Sequence, residues 1–311
     1  MNEPRTWILT EDYAGLRAQA LGLAEAAGLA PEVRTLRVRP PWRHLPAQWW
    51  PTPLAAVTPE ALSPPLPELL IGCGGKAAAV LAAMRGRTRT VIVQHPRRDA
   101  RRFDLVVAAR HDRLTGPNVV VTRTALHRAT PERLAAAAAE WEPRLAHLPR
   151  PLVAVLVGGA NGRFRLGLPE GEAFAAQLAA MMRDDRVGLA LTASRRTDPA
   201  VTRALGAALR PLGGYVWDME GDNPYFGLLA LADAIVVTGD SVSMVSEAVA
   251  TRAPVLLQRL PGYSARIARF LGGLVDDGRV RPYEGRLALW NTAPLDDTPY
   301  AAAEMRRRLG F

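Results

Sequence analysis

Short apolar runs alternate with longer, alanine-rich amphipathic stretches along the whole chain. Unbroken apolar runs of about four to eight residues are typical of strands buried on both faces, and stretches with a period near 3.6 are typical of helices. In the first half the pattern predicts strands at 6–10, 33–38, 69–73, 90–94, 105–109 and 119–122, and helices at 14–27, 76–84 and 131–145. In the second half it predicts strands at 152–157, 187–192, 214–217, 234–238 and 254–258, and helices at 170–183, 200–209, 225–232, 242–251 and 265–271.

This order predicts an α/β protein built from parallel sheets with helices on both faces. Six strands followed by five more favour two doubly wound, Rossmann-like domains that face a cleft. A single eight-stranded barrel fits this strand count less well. The prolines of HLPRP at 147–151 indicate the boundary, which gives domains at 1–148 and 149–295. Residues 296–311 are expected to form a helix that packs back on the first domain.

A proline-rich segment at 40–67 is too long for a routine connection. It carries Trp42, Trp49 and Trp50 beside Arg43. Tryptophan and arginine favour an anionic membrane interface. A loop folded back on the core with buried tryptophans explains the same residues equally well.

Charge separates the two halves. The chain has 39 Lys+Arg and 30 Asp+Glu, with 20 and 13 of them in residues 1–148. The surplus predicts an anionic partner for the first half, and the absence of a zinc-finger, RNA-recognition or basic-helix motif argues against nucleic acid. With no signal peptide and no apolar stretch of spanning length, we expect a cytoplasmic protein, peripheral on the inner face of the plasma membrane if it contacts lipid.

Three loops in the second half follow predicted strands and suit a nucleotide. Glycine lets backbone approach a phosphate, and helix N-termini attract anions. Ser194 and Thr197 are also candidate N-caps of the next helix. Glu247 lies a turn or two inside its helix, where its carboxylate could accept hydrogen bonds from ribose hydroxyls. The alternative is that Glu247 simply faces solvent. The loop residues are Gly158, Gly159 and Asn161, then Ser194, Arg195 and Arg196, then Thr238, Gly239, Asp240, Ser241 and Ser243.

The chain resembles the plant "elongated mitochondria" fission factors and their bacterial homologues, a family similar to GT-B glycosyltransferases. The similar stretches lie at 9–28, 69–84, 91–112, 155–164, 191–197 and 222–255, the last reading DNPYFGLLALADAIVVTGDSVSMVSEAVATRAPV. The second half is also similar to the nucleotide half of lipid II N-acetylglucosaminyltransferases. The resemblance implies that the three loops bind a donor diphosphate and that Glu247 binds its ribose.

The implied activity is metal-independent transfer of a sugar from a nucleoside-diphosphate sugar to a lipid-linked or membrane-associated acceptor, without a cofactor. The alternative is a non-catalytic scaffold of the same shape that recruits a protein to a membrane. An NAD-dependent epimerase is disfavoured, because the first strand is followed by EDYAG rather than a dinucleotide fingerprint.

The first half would supply the acceptor site and a general base. Asp12 is the first candidate and His95 the second, although Asp12 could instead cap a helix and His95 could be a packed histidine. Gly74, Gly75 and Lys76 could bind an anion. Cys73, the only cysteine, is expected to be buried, and no histidine spacing indicates a metal site.

Overall fold

The computed structural model describes residues 3–311, which divide into two units. The first runs up to Arg128 and takes in Asp296–Phe311, and the second is Ala129–Leu295. Each holds a parallel six-stranded sheet with helices on both faces. The predicted α/β class with two doubly wound sheets is therefore confirmed.

The first unit contains the sheet with strand order β2-β1-β3-β4-β5-β6. Its strands are β1 Thr6–Thr10, β2 Glu32–Thr35, β3 Leu69–Cys73, β4 Arg89–Val93, β5 Leu105–Ala109 and β6 Val119–Thr122, and its helices are α1 Ala14–Ala26, α2 Gly75–Met84 and α9 Thr298–Leu309. The chain order reverses between β1 and β3, which are paired in register, with Trp7 opposite Leu70. In such sheets ligands bind beyond the carboxyl ends of the strands at this reversal.

Alternate residues of the buried strands supply the two faces of this sheet. Ile8 packs with α1 and α9, whereas its neighbours Trp7 and Leu9 pack with α2. This two-residue period is a property of extended backbone, and burial on both sides explains why the strands read as unbroken apolar runs.

The C-terminal helix α9 packs against α1. Its Ala301, Ala302 and Met305 are buried with the residues of α1. Arg306 donates a hydrogen bond of 2.7 Å to the carbonyl of Ala27, just beyond the last turn of α1, where a cation offsets the negative end of the helix dipole.

The second unit has the strand order β12-β11-β10-β7-β8-β9, the Rossmann order, which reverses between β7 and β10. Its strands are β7 Leu152–Val157, β8 Gly188–Ala193, β9 Tyr215–Val216, β10 Ala234–Thr238, β11 Val255–Gln258 and β12 Val280–Pro282. Its helices are α3 Pro131–Leu145, α4 Leu168–Asp184, α5 Pro199–Leu209, α6 Tyr225–Leu231, α7 Val242–Val249 and α8 Ala265–Asp276.

The predicted domain boundary at residue 148 is wrong, because α3 belongs to the second unit. Trp141 of α3 is buried against α6, and a Cβ at Gly227 would lie 2.4 Å from the Trp141 ring. This close packing against α6 is why α3 belongs to the second unit. The prolines at 147–151 end the helix but do not separate the two units.

The sequence pattern also missed the edge strand β12. Its three residues are Val280, Arg281 and Pro282, of which only the valine is buried. Such a short run has no detectable alternation, and its strand conformation depends on pairing with β11. Within residues 3–311, no helix combines the length and apolar character needed to cross a membrane.

Candidate functional site

The loops after β7 and β10 meet at the reversal of the second sheet. Thr238 is the last residue of β10, and Gly239 and Asp240 lead into α7. Ser241 is the N-cap of α7 and accepts a hydrogen bond of 3.4 Å from the amide of Met244. The positive end of the α7 dipole therefore lies where doubly wound sheets bind their ligands.

Asp240 is the centre of this loop cluster. Its carboxylate is fully buried and accepts hydrogen bonds from the Gly159 amide at 3.2 Å, the Thr238 hydroxyl at 2.7 Å and the Arg196 guanidinium at 2.9 Å. These three donors come from the loops after β7 and β8 and from the end of β10. The buried carboxylate is thus paired and hydrogen-bonded, as a buried charge must be.

The two glycines after β7 serve close packing rather than a free amide cradle. Gly158 donates to the Thr238 hydroxyl at 2.7 Å, and the Gly159 amide is taken by Asp240. An added Cβ would lie 2.2 Å from Asp240 at Gly158 and 2.2 Å from the Arg196 carbonyl at Gly159. Neither amide is therefore free to bind a phosphate in this structure.

The loop after β8 is closed by its own hydroxyls. The Thr197 hydroxyl accepts a hydrogen bond of 3.0 Å from the Ser194 amide, and the Ser194 hydroxyl accepts one of 3.2 Å from the Arg196 amide. The N-cap of α5 is Asp198, which accepts from the Ala200 amide at 2.8 Å. The prediction that Ser194 or Thr197 is the N-cap of α5 is therefore wrong. Pro199 occupies the first helical position, which makes Asp198 the N-cap.

The remaining donor-loop residues have distinct positions. Asn161 donates to the Asp240 carbonyl at 3.1 Å and so fastens the first loop to the third. Arg195 is exposed, whereas Arg196 also donates to the Gly159 carbonyl at 2.9 Å. Ser243 is half-buried in the first turn of α7.

A fourth loop, between β11 and α8, was missed by the sequence analysis. Phe164 pairs with Gly262 across it, and Arg163 donates to the Ser264 hydroxyl at 3.4 Å. This loop, Gly239 and one side of α8 line a cavity of about 510 Å³ whose surface is mostly apolar. The available signal was Ser264, which caps α8 just after a proline and a glycine.

Glu247 is buried on α7, so the interpretation that it faces solvent is wrong. One carboxylate oxygen, Oε2, accepts a hydrogen bond from the hydroxyl of Tyr225, the first residue of α6. Burial raises the pKa of Glu247 to about 7, and the Tyr225 hydroxyl opposes part of that shift. Burial and the Glu247 carboxylate together raise the pKa of Tyr225 well above its usual value. Tyr225 was not predicted as a site residue.

The corresponding reversal in the first unit lies between β1 and β3. Lys76 in the first turn of α2 forms a 2.8 Å ion pair with Glu11, which follows β1. Gly74 has φ of +94°, which favours glycine, and a Cβ at Gly75 would meet open space. These residues therefore present a paired cation and an open helix N-terminus.

Asp12 and His95 differ in what they can do as bases. Asp12 is exposed, and the N-cap of α1 is Tyr13, with no side-chain cap, so the interpretation of Asp12 as a cap is wrong. His95 Nδ1 accepts the Arg97 amide at 2.9 Å, which leaves the proton of a neutral ring on Nε2. Such a ring donates from Nε2, so the geometry favours Asp12.

Cys73 is buried at the end of β3. Among residues 3–311, no group of three or more histidine, cysteine, aspartate or glutamate side chains is arranged to hold a metal ion.

The two Rossmann-like units and their strand orders place the chain in the GT-B structural class. The UDP-GlcNAc 2-epimerase of Neisseria meningitidis, solved bound to UDP-GlcNAc, superposes with a TM-score of 0.57 at 11% identity, covering 98% of this chain and 100% of that one. MurG of Acinetobacter baumannii superposes with a TM-score of 0.51 at 15% identity, covering 98% and 90%. At these identities the likeness establishes the fold alone.

Sequence comparison defines the family within that class. The mitochondrial fission ELM1 profile matches residues 14–309, and the chain belongs to this family. It is 32% identical over 284 residues to the mitochondrial fission protein ELM1 of Arabidopsis thaliana. That alignment covers 78% of this chain, which spans 64% of the plant protein's length. The predicted family membership is confirmed.

Proposed function

We propose that the second unit binds a nucleoside-diphosphate sugar and that the protein transfers the sugar to an acceptor held by the first unit. The observation that carries the proposal is the convergence of three loops and the α7 N-terminus at the reversal of the second sheet. The diphosphate would lie at the N-terminus of α7, beside Arg195 and the exposed part of Arg196, because the glycine amides are already bonded.

In this proposal Glu247 binds the ribose. Its Oε2 is held by Tyr225, so a ribose hydroxyl would use Oε1. Tyr225 would therefore be a positioning residue that fixes the direction of the carboxylate. The first unit would supply Asp12 as the base that takes the acceptor proton, a role typically contributing about 10²–10⁴ in rate. The reaction would require no metal or cofactor, so a chelator should leave it unchanged.

Isothermal titration with UDP, GDP, ADP and CMP tests the donor site. Binding by one of them is expected, and Glu247→Ala should weaken it by about 1–3 kcal/mol through loss of charged hydrogen bonds. Glu172→Ala, an exposed glutamate on α4, is the matched control and should leave binding unchanged. If none of the four nucleotides binds, the donor site does not exist.

Two other functions give different results in the same experiments. A scaffold is favoured by Asp240, which places a carboxylate on the Gly159 amide that a phosphate would otherwise use. It predicts that no nucleotide binds. An epimerase has the same fold, as the Neisseria structure demonstrates, and it would convert a bound sugar nucleotide without an acceptor. Product analysis with and without acceptor distinguishes transfer from epimerisation.

The acceptor is proposed to be lipid-linked or membrane-associated, with the protein peripheral on an anionic membrane. The structural division sharpens the charge argument: the first unit holds 21 Lys+Arg and 13 Asp+Glu, against 18 and 17 in the second. Almost the whole surplus of positive charge therefore belongs to the proposed acceptor unit.

A further inference from the structure

The tryptophans of the proline-rich segment have different environments. Trp50 is buried against Ala79 of α2, and its indole N–H donates to the carbonyls of Trp42 and Leu45 at 3.2 and 3.3 Å. Trp42 is partly buried in the same cluster. Trp49, in contrast, is 67% exposed, and Leu45 is 38% exposed. Trp50 thus anchors the segment on α2, and Trp49 is presented to solvent.

Two arginine-containing segments come close to these exposed apolar residues. Residues 33–59 contain four arginines, of which Arg34 is paired with Glu32 at 2.8 Å and Arg43 is exposed. The sequence RRDARR at 97–102 approaches from the loop after β4, where the Arg98 guanidinium donates to the carbonyl of Ala47. The two arginine-rich segments therefore border one surface.

The positive charge of this surface is only partly neutralised. Burial lowers the pKa of Arg98, and the nearby Arg102 charge lowers it further. Asp99 lies between them in sequence and accepts the Arg101 amide at 2.9 Å. Hydrogen bonds from its own backbone amide and from Thr58 lower the pKa of Glu60, and the charges of Arg39 and Arg37 lower it further. Among residues 3–311, no carboxylate pairs with Arg43, Arg98 or Arg102, whose guanidinium contacts are with the His44 ring and the Ala47 carbonyl, so an anionic surface complements them.

We propose that Trp49 and Leu45, bordered by Arg43, Arg98 and Arg102, form the surface by which this protein docks on an anionic lipid bilayer. Indole and leucine side chains favour the bilayer interface, and arginines favour anionic headgroups. A nucleic acid could pair its phosphates with the arginines, but it would not explain the exposed apolar side chain of Leu45. The inference rests on the proposed membrane association and is independent of the donor site.

Sedimentation of the full chain with vesicles tests the surface. We expect binding to phosphatidylcholine vesicles that contain about 30% phosphatidylglycerol, whose anionic headgroups attract arginines, and no binding to phosphatidylcholine alone. Arg98→Ala with Arg102→Ala should weaken binding roughly thirtyfold, since each arginine near such a surface contributes about fivefold. Binding should also weaken as salt rises.

Matched variants separate the surface from general effects. Trp49→Ala should weaken vesicle binding, whereas Tyr263→Ala, which removes a 71% exposed aromatic from the second unit, should not. Arg183→Ala with Arg203→Ala removes the same charge from exposed sites of the second unit and should leave most of the binding. Circular dichroism melts confirm that each variant is folded.

Three outcomes would overturn the proposal. The first is no binding to anionic vesicles, and the second is binding unaffected by Trp49→Ala and by the Arg98, Arg102 double variant. The third is binding of duplex DNA that depends on Arg98 and Arg102 but not on Trp49, with no vesicle binding, which would define a polyanion surface. Nucleotide titration of the Trp49 variant and of the Arg98, Arg102 double variant should be unchanged, so failure here leaves the donor-site proposal separately testable.

Discussion

Replacing Glu247 with glutamine should make the protein more stable at neutral pH, even though it changes a proposed site residue. Glutamine keeps the shape and an oxygen for the Tyr225 hydroxyl but carries no charge. In the folded protein, burial raises the pKa of Glu247 from 4.5 to about 7. The charged form is therefore the one that folding disfavours.

The magnitude follows from that shift. The folded state binds the Glu247 proton more tightly than the unfolded state, so this group favours folding at low pH. The advantage is lost as pH rises from 4.5, and the loss is complete above about 7. At about 1.36 kcal/mol per pKa unit, the wild type should lose about 3 kcal/mol relative to Glu247→Gln across this range.

Urea unfolding followed by circular dichroism at pH 5, 6, 7 and 8 measures the difference. We expect the two proteins to converge toward pH 4.5 and the variant to be favoured by about 3 kcal/mol at pH 8. Tyr225→Phe provides a second check, because losing the hydroxyl removes the contact that lowers the Glu247 pKa, and the pH window should extend upward. A difference that stays constant with pH would refute the reasoning, since it would mean that Glu247 titrates equally in both states.

Three further predictions concern stability and are measured by the same urea titrations. Arg279→Met should destabilise the protein by about 2 kcal/mol. The buried guanidinium donates to the carbonyls of Val249, Thr251 and Ala253 at the end of α7, and methionine leaves these carbonyls without that donor. An unchanged urea midpoint would contradict this. Gly227→Ala should destabilise by about 1–3 kcal/mol, because its Cβ would overlap the Trp141 ring. Gly272→Ala, a helical position with open space, is the control and should stabilise slightly. Asp240→Ala should cost about 2–3 kcal/mol, because it strands the Gly159 amide and the Arg196 guanidinium, and full stability would show that the loop network is dispensable.

Much of the fold could be predicted because parallel strands buried on both faces leave a local record. The runs at 6–10, 69–73 and 152–157 coincide with β1, β3 and β7, since both faces of such a strand are buried and most of its residues are therefore apolar. The loops at the sheet reversal could be predicted because each follows the end of a recognisable strand and contains glycine or small polar residues. The edge strand β12 left no such record, as two of its three residues are exposed.

The sequence by itself determined the α/β class, the family, and three of the four loops at the candidate site. Only the tertiary structure decided how those loops are used. Side chains distant in sequence meet there: Asp240 takes the Gly159 amide, Tyr225 holds Glu247, and Trp141 commits α3 to the second unit. Periodicity records whether a position faces a core or solvent. It does not record which polar partner a buried carboxylate finds, because that partner is selected by three-dimensional packing and by the cost of leaving a buried charge unpaired.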